Sequence, residues 1–242
     1  MSVEIEVLGD PARGCAALMV GAALGDGHIV LTGGSTPRAA YEDFVEAVRL
    51  LGLDLTRTTF WVGDERCVDP GDDRSNFKMI QESLLDPLGP DNQPTIHRMK
   101  GELGPDAGAE DYEQALRAAF PAGPPRFDLM LLGIGPDGHC ASLFPNQDSL
   151  SERSRLVVGV PMSGLEPFVP RVSLTLPALT AARHVAFLAA GESKAQALAA
   201  AFGPEARPDP AIPSSLVAAE ADLVSVILDH AAAAALSTGA RA

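Results

Sequence analysis

Short apolar strands alternate with helical segments along most of the chain, and this alternation limits the possible folds more than any other feature of the sequence. Near-continuous apolar strands joined by helices are typical of a mostly parallel sheet with helices on both faces. We therefore predict an α/β fold. The predicted strands are VEIEVL (3–8), HIVLTGG (28–34), TTFWVGDER (58–66), RFDLMLLGIG (126–135), RLVVGVP (155–161), RVSLTLP (171–177), HVAFLAAG (184–191) and DLVSVILD (222–229).

The length of the chain, 242 residues, suits one large domain or at most two small ones. We assign residues 1–242 to a single α/β domain with an Ala-rich tail from about residue 231. The first helix is expected to have Asp10 as its N-cap and Pro11 at its first position, a preferred arrangement at helix starts.

The formal net charge is −14, and the sequence has no run of Lys and Arg that could form a basic face. We therefore expect no nucleic-acid partner. No apolar run approaches the ~18 residues needed to cross a bilayer, and the acidic N-terminus does not resemble a targeting peptide, so we expect no membrane association. Three cysteines without metal-ligand spacing suggest a reduced, cytoplasmic protein with no metal site.

Ligands of open parallel sheets bind beyond the carboxyl ends of the strands. This rule selects four segments that follow predicted strands: TGGSTP (32–37), GDER (63–66), GIGPDGH (133–139) and AAGESK (189–194). An anionic ligand on so acidic a chain would need specific Arg and Lys side chains to create a local positive field.

The third of these segments carries Gly133, Gly135 and Gly138 in the spacing of a dinucleotide-binding fingerprint. Two features of that fingerprint are missing. The next predicted strand ends in Val160 and Pro161 rather than in a carboxylate, and Pro145 stops any helix soon after the glycines. We therefore expect neither a nicotinamide nor a flavin cofactor.

The segment LTGGSTP (31–37) predicts a sharp turn from a strand into a helix. Pro37 suits the first helical position, which would make Thr36 the N-cap. The free N–H groups of the first turn, with Gly34 and the hydroxyls of Ser35 and Thr36, would then form an anion cradle. An ordinary capped helix without a ligand explains the same residues.

Three side chains, those of Arg66, Arg171 and Lys194, could supply the positive charges for an anionic ligand. Asp64 and Arg66 are two residues apart, so in an extended chain both point the same way. Arg66 could bind a phosphate or carboxylate through two hydrogen bonds, while Asp64 accepts hydrogen bonds from hydroxyl groups of a sugar. A solvated ion pair between Asp64 and Arg66 is the alternative. Arg171 and Lys194 follow on later segments, and either could instead be an ordinary surface charge.

His139 follows Asp137 by two residues at a glycine turn. An imidazole oriented by a carboxylate is a suitable general base, although a structural histidine bonded to the backbone is an alternative. Cys140 is adjacent to His139, but neighbouring side chains diverge, so a bystander thiol is expected. The other histidines show no metal-binding pairing.

Taken in order, these motifs resemble the 6-phosphogluconolactonase family over roughly residues 28 to 217. The matching segments are LTGGSTP (31–37), FWVGDERCVDPGDDRSNF (60–77), FDLMLLGIGPDGHCASLFP (127–145), PRVSLTLPAL (170–179) and GESK (191–194). The resemblance implies a Rossmann-like fold, similar to glucosamine-6-phosphate deaminase and ribose-5-phosphate isomerase. It also implies hydrolysis of 6-phosphoglucono-δ-lactone to 6-phosphogluconate in the oxidative pentose phosphate pathway, without a metal or organic cofactor.

The resemblance also implies roles for the candidate residues. His139 would deprotonate a water molecule, and Asp137 would orient or polarise the imidazole of His139. Asp64 and Arg66 would lie nearer the sugar ring. The candidates for the phosphate side are Gly34, Ser35, Thr36, Arg171 and Lys194. The expected partner is a small phosphosugar lactone, and the expected assembly is a monomer or small homo-oligomer.

Two other functions share these features. A glucosamine-6-phosphate deaminase would have a similar fold, but that family tends to have Tyr at the position of Arg66 and a Glu after the histidine motif, where this chain reads CASLFP (140–145). A sugar-phosphate-sensing domain of a transcriptional regulator could keep the phosphate cradle without catalysis. The acidic charge and the strand at the very start of the sequence speak against a DNA-binding module.

Overall fold

A computed structural model describes residues 2–236 of the chain. Ten strands lie within these residues: β1 (Ser2–Val7), β2 (His28–Leu31), β3 (Thr59–Val62), β4 (Asp64–Arg66), β5 (Thr95–His97), β6 (Leu129–Leu132), β7 (Val157–Val160), β8 (Arg171–Leu174), β9 (Val185–Ala189) and β10 (Leu223–Leu228). The α-helical segments in the same range are α1 (Pro11–Ala23), α2 (Ser35–Leu51), α3 (Asn76–Ile80), α4 (Asp86–Leu88), α5 (Pro105–Ala119), α6 (Leu176–Thr180), α7 (Ala195–Phe202) and α8 (Pro213–Glu220). A π-helical stretch, Gln81–Leu85, joins α3 to α4.

Seven strands form one parallel sheet in the order β1-β10-β9-β6-β2-β3-β5. The other three form a small antiparallel sheet in the order β4-β8-β7. The predicted α/β fold with a mostly parallel sheet is therefore confirmed.

Alternate residues of the central strands face opposite layers, as the period of a β-strand requires. In β2, Val30 packs with the layer built from α5 to α8, whereas Ile29 and Leu31 pack with α1, α2 and α3. Both faces of the sheet are thus covered, which is why the strand sequences are apolar at almost every position.

The direction of strand order reverses between β2 and β6. From β2 the chain adds β3 and β5 on one side, and from β6 it adds β9 and β10 on the other. The loops that leave the carboxyl ends of β2 and β6 therefore separate, and a crevice opens between them. These loops begin with Thr32 and with Gly133.

Three details of the sequence prediction are wrong. TTFWVGDER is not one strand, because Gly63 divides it. The Gly63 N–H donates to Leu31 O in the parallel sheet (2.9 Å) and its carbonyl accepts from the Leu174 N–H of the small sheet (2.9 Å). RLVVGVP and RVSLTLP contribute β7 and β8 to this small sheet rather than to the main one.

The third error is at the start of α2. Gly34, not Thr36, occupies the N-cap position, with φ of 118°, and Pro37 occupies the third helical position. Glycine adopts this φ without the steric cost that other residues meet. Pro37 lacks an N–H where the helix leaves one unpaired in any case, and the first α-helical bond runs from Arg38 N to Gly34 O (3.1 Å).

The predicted cap of α1 is confirmed, since Asp10 Oδ1 accepts from Arg13 N at 3.1 Å and Pro11 begins the helix. The predicted Ala-rich tail starts with a 3₁₀ turn, Ala232–Ala235, in which Ala232 is buried against the core. The rest of that tail, 237–242, lies outside the described residues. Within residues 2–236, no helix combines the length and the apolar character needed to cross a bilayer.

A half-buried aromatic cluster lies where β2, β3 and β5 meet. His97 stacks on Trp61 with ring centroids 4.0 Å apart, and Trp61 Nε1 donates to His28 Nδ1 at 3.0 Å. Burial, and to a lesser extent the charge of His28, lowers the pKa of His97. Burial also lowers the pKa of His28, against the opposing charge of Asp128.

These shifts predict a loss of stability in acid. Because the folded pKa of His97 lies below its unfolded value of about 6.5, the stabilising contribution is present above that pH and is lost as the pH falls toward the folded pKa. His97→Phe retains a ring to stack on Trp61 but does not titrate. We expect the free energy of unfolding, measured with urea at about pH 7.5 and about pH 5.5, to fall less in His97→Phe than in the wild type. Equal losses in the two proteins would contradict this assignment.

Candidate active site

A cavity of about 230 Å³ opens at the crevice between β2 and β6. Its walls come from the loops after β2 and β6, from β4, from the start of α3, and from the segment that leads into β8. It brings together six of the predicted site residues: Gly34, Asp64, Arg66, His139, Arg171 and Lys194. Of the other three, Ser35 and Thr36 lie beside it in the first turn of α2, and Asp137 lies behind His139.

His139 and Asp137 form a hydrogen-bonded pair at the cavity wall. Asp137 Oδ1 lies 2.6 Å from His139 Nδ1 and also accepts from the His139 backbone N–H at 3.2 Å. Burial opposes ionisation of Asp137, but the hydrogen bonds and charge of His139 outweigh it and lower the pKa of the carboxyl group. An ionised Asp137 holds the proton of neutral His139 on Nδ1, which leaves the lone pair on Nε2.

The glycines that resembled a dinucleotide fingerprint build the turn that presents this pair. Gly135 N donates to His139 O at 2.8 Å, and Gly138 N donates to Gly135 O at 3.0 Å. Gly138 has φ of 84°, in the left-handed region that favours glycine. A Cβ on Gly135 would overlap the imidazole of His139 and the carboxylate of Asp137. The turn therefore closes only because position 135 has no side chain.

Asp64 is 6% exposed and is fixed by two donors. Ser142 Oγ donates to Asp64 Oδ2 at 2.6 Å, and Asn76 Nδ2 donates to Asp64 Oδ1 at 3.2 Å and to its carbonyl at 2.8 Å. Asn76 packs so closely on Gly33 that a Cβ at position 33 would overlap its amide. The carboxylate thus faces the cavity in one orientation.

Arg66 and Arg171 lie opposite each other on the antiparallel strands β4 and β8. Arg66 Nη1 donates to Arg74 O at 2.6 Å, while its Nε is buried and has no hydrogen-bond partner among residues 2–236. Arg171 donates from Nε to Val169 O (3.2 Å) and from Nη2 to Pro167 O (2.8 Å). Burial and, next, the charge of Arg66 lower the pKa of Arg171.

Lys194 completes the positive side of the cavity from the 3₁₀ turn before α7. Burial lowers its pKa, and the charge of Asp137 opposes that effect. Three cations and His139 thus line one small cavity of a chain whose formal charge is −14. This arrangement suits an anionic ligand. Within residues 2–236, no group of three or more His, Cys, Asp or Glu side chains could hold a metal ion.

Several site residues were missed by the sequence analysis. Asn76 follows Ser75, the cap of α3, and capping gave no reason to expect it in the cavity wall. Ser142 is a small polar residue in an otherwise apolar stretch after His139, a signal that could have marked it. Leu165 and Glu166 reach the cavity from the loop between β7 and β8, and no local pattern indicates this.

Comparison with known proteins shows which family the chain belongs to. The family described as glucosamine-6-phosphate isomerases/6-phosphogluconolactonase matches residues 15–226. The chain belongs to this family. Its relatives include the 6-phosphogluconolactonases of Streptomyces coelicolor, 41% identical over 75% of this chain and 72% of that protein, and of Mycobacterium leprae, 43% identical over 77% and 76%.

Solved structures of this family share the fold over nearly the whole chain. The 6-phosphogluconolactonase of Trypanosoma brucei superposes with a TM-score of 0.78 at 28% identity, covering 98% of this chain and 99% of that one. A monomeric glucosamine-6-phosphate deaminase superposes with a TM-score of 0.81, covering 97% and 100%, but at 17% identity this likeness concerns the fold alone.

The overlap at position 135 gives a test of the His139 turn. We expect Gly135→Ala to destabilise the protein by about 1–3 kcal/mol, as overpacking does, and so to lower Tm by about 2–4 °C for each kcal/mol. Gly133→Ala is the matched control, because a Cβ there meets nothing within 4 Å. Calorimetry should show the control within about 0.5 kcal/mol of the wild type. Equal Tm values for the two variants would contradict the turn geometry.

Proposed function

We propose that this protein hydrolyses 6-phosphoglucono-δ-lactone to 6-phosphogluconate by general-base activation of water. The observation that carries the proposal is the His139–Asp137 pair at the wall of a cavity to which Arg66, Arg171 and Lys194 also contribute. The names of the relatives above support the same reaction. The reaction would place the protein in the oxidative pentose phosphate pathway, in the cytoplasm.

The chemistry needs only the residues described. His139 Nε2 takes a proton from water as the water oxygen bonds to the lactone carbonyl carbon. The tetrahedral intermediate then breaks the bond between that carbon and the ring oxygen. The ring oxygen leaves with a proton from the imidazolium, and the carbonyl carbon becomes a carboxylic acid, which loses its proton to the solvent to give the carboxylate of the product. General-base assistance is typically worth about 10²–10⁴-fold.

Substrate binding is divided between the two sides of the cavity. We assign the phosphate to Arg171, Lys194 and the start of α2, where Gly34, Ser35 and Thr36 offer N–H groups and hydroxyls. Asp64 accepts from hydroxyl groups of the sugar ring, and Arg66 lies nearer the ring.

His139→Ala tests the base. We expect kcat to fall by about 10²–10⁴-fold while 6-phosphogluconate still binds. The assay generates the lactone by oxidation of glucose 6-phosphate and follows its hydrolysis continuously. Cys140→Ala is the neighbouring control, since Cys140 is fully buried and burial raises the pKa of its thiol well above the usual range. Turnover within about threefold of the wild type would remove His139 as the base.

An assay of ammonia release distinguishes a glucosamine-6-phosphate deaminase from a lactone hydrolase. The same preparation is incubated with glucosamine 6-phosphate and with fresh lactone. We expect acid release from the lactone and no ammonia. Ammonia release without lactone hydrolysis would contradict the proposal and identify a deaminase.

Lys194→Gln tests the phosphate side. A charge-assisted hydrogen bond is worth about 1.5–3 kcal/mol, so we expect KM to rise by about 10- to 100-fold with kcat little changed. Lys100→Gln removes a surface lysine that pairs with Asp111 and serves as the control. A fall in kcat at constant KM would instead place Lys194 at the developing oxyanion.

A further inference from the structure

Ser142 links the two halves of the candidate active site. It lies three residues after His139 and is completely buried. Its Oγ donates to Asp64 Oδ2 at 2.6 Å, which joins the loop after β6 to β4. Its backbone N–H donates to Ser173 Oγ of β8 at 3.1 Å. Ser142 is therefore held by both strands of the small sheet that face the cavity.

The turn between His139 and Ser142 depends on contacts from outside. Ala141 lines the cavity with φ of 48°, in the left-handed region that residues with a Cβ rarely adopt. Such a conformation persists only where the surrounding structure holds it. Within the turn, Leu143 N donates to Cys140 O at 3.0 Å. The two hydrogen bonds of Ser142 anchor the strained turn to the rest of the protein.

The other contacts of Asp64 do not depend on Ser142. Asn76 holds Asp64 Oδ1, and Asn76 N is itself held by Glu65 Oε1 at 2.7 Å. Loss of the Ser142 hydroxyl would leave this side in place. It would free Oδ2 and release the turn that carries His139 from β4.

We propose that Ser142 is a positioning residue that sets the distance between Asp64 and His139. The proposal rests on the proposed function: Asp64 holds the sugar ring, His139 holds the attacking water, and Ser142 keeps one aligned with the other. A misplacement of about 1 Å in such an arrangement costs about 10²-fold in rate. The effect should be on kcat rather than on KM, because the cations that bind the phosphate keep their own contacts.

The experiment is a double-mutant cycle with Ser142→Ala, Asp64→Ala and the double variant. We expect Ser142→Ala to lower kcat by about 10- to 100-fold with KM changed less than about threefold. In the Asp64→Ala background, the same change should alter kcat by less than about threefold, since the carboxylate that Ser142 holds is gone. Ser83→Ala, at a buried serine that bonds to Met79 O, is the control and should leave kcat unchanged.

Independent losses that multiply in the double variant would overturn the proposal, as would a Ser142→Ala kcat within about threefold of the wild type. If Ser142→Ala does not fold, Ser173→Ala carries the same test, because it removes the partner of the Ser142 N–H, together with a bond from Ser173 Oγ to Leu174 O within β8, and should show the same split between kcat and KM. A wild-type protein inactive on the lactone would overturn the proposed function and this proposal with it. An active wild type without coupling would overturn this proposal alone.

Discussion

Strands β2 and β6 lie side by side in the parallel sheet, and from this pair the chain builds outward in opposite directions. The loops that follow them therefore diverge and leave a crevice between them. The glycine turn at Gly34 and the turn that carries His139 lie at the two sides of this gap. The small sheet β4-β8-β7 contributes Asp64, Arg66 and Arg171 to this cavity, and Gly63, at the junction of β3 and β4, is bonded to both sheets.

Glu65 shows how that junction is stabilised. The carboxylate is 3% exposed and accepts from the N–H groups of Arg66 (2.7 Å), Asn76 (2.7 Å) and Phe77 (2.8 Å), and from Ser75 Oγ (3.0 Å). Burial raises its pKa, and these donors oppose the shift. A buried carboxylate is tolerated only when such donors replace its water. Because Glu65 points away from the cavity, its neighbours Asp64 and Arg66 on the same strand point into it.

The sequence predicted the sheet class, the carboxyl-edge location and six of the residues that line the cavity, because strand periodicity and turn chemistry are local properties. It did not predict the division of TTFWVGDER, since a single glycine between two extended segments carries no local sign of a change of sheet. It also missed Asn76 and Ser142, whose roles depend on contacts with Asp64 from residues 12 and 78 positions away. Such contacts are set by tertiary packing alone.

Arg66 and Arg171 lie opposite each other on β4 and β8, and their arrangement bears on the proposal that this acidic chain binds an anion here. The charge of Arg66 contributes to the lowered pKa of Arg171, so the pair repels. The guanidinium of Arg171 is held by backbone carbonyls, which orient it but do not neutralise it. The negative charge of a ligand near both guanidinium groups would relieve this repulsion. Because the fold already holds the two cations together, such a ligand would meet a site that does not have to reorganise on binding.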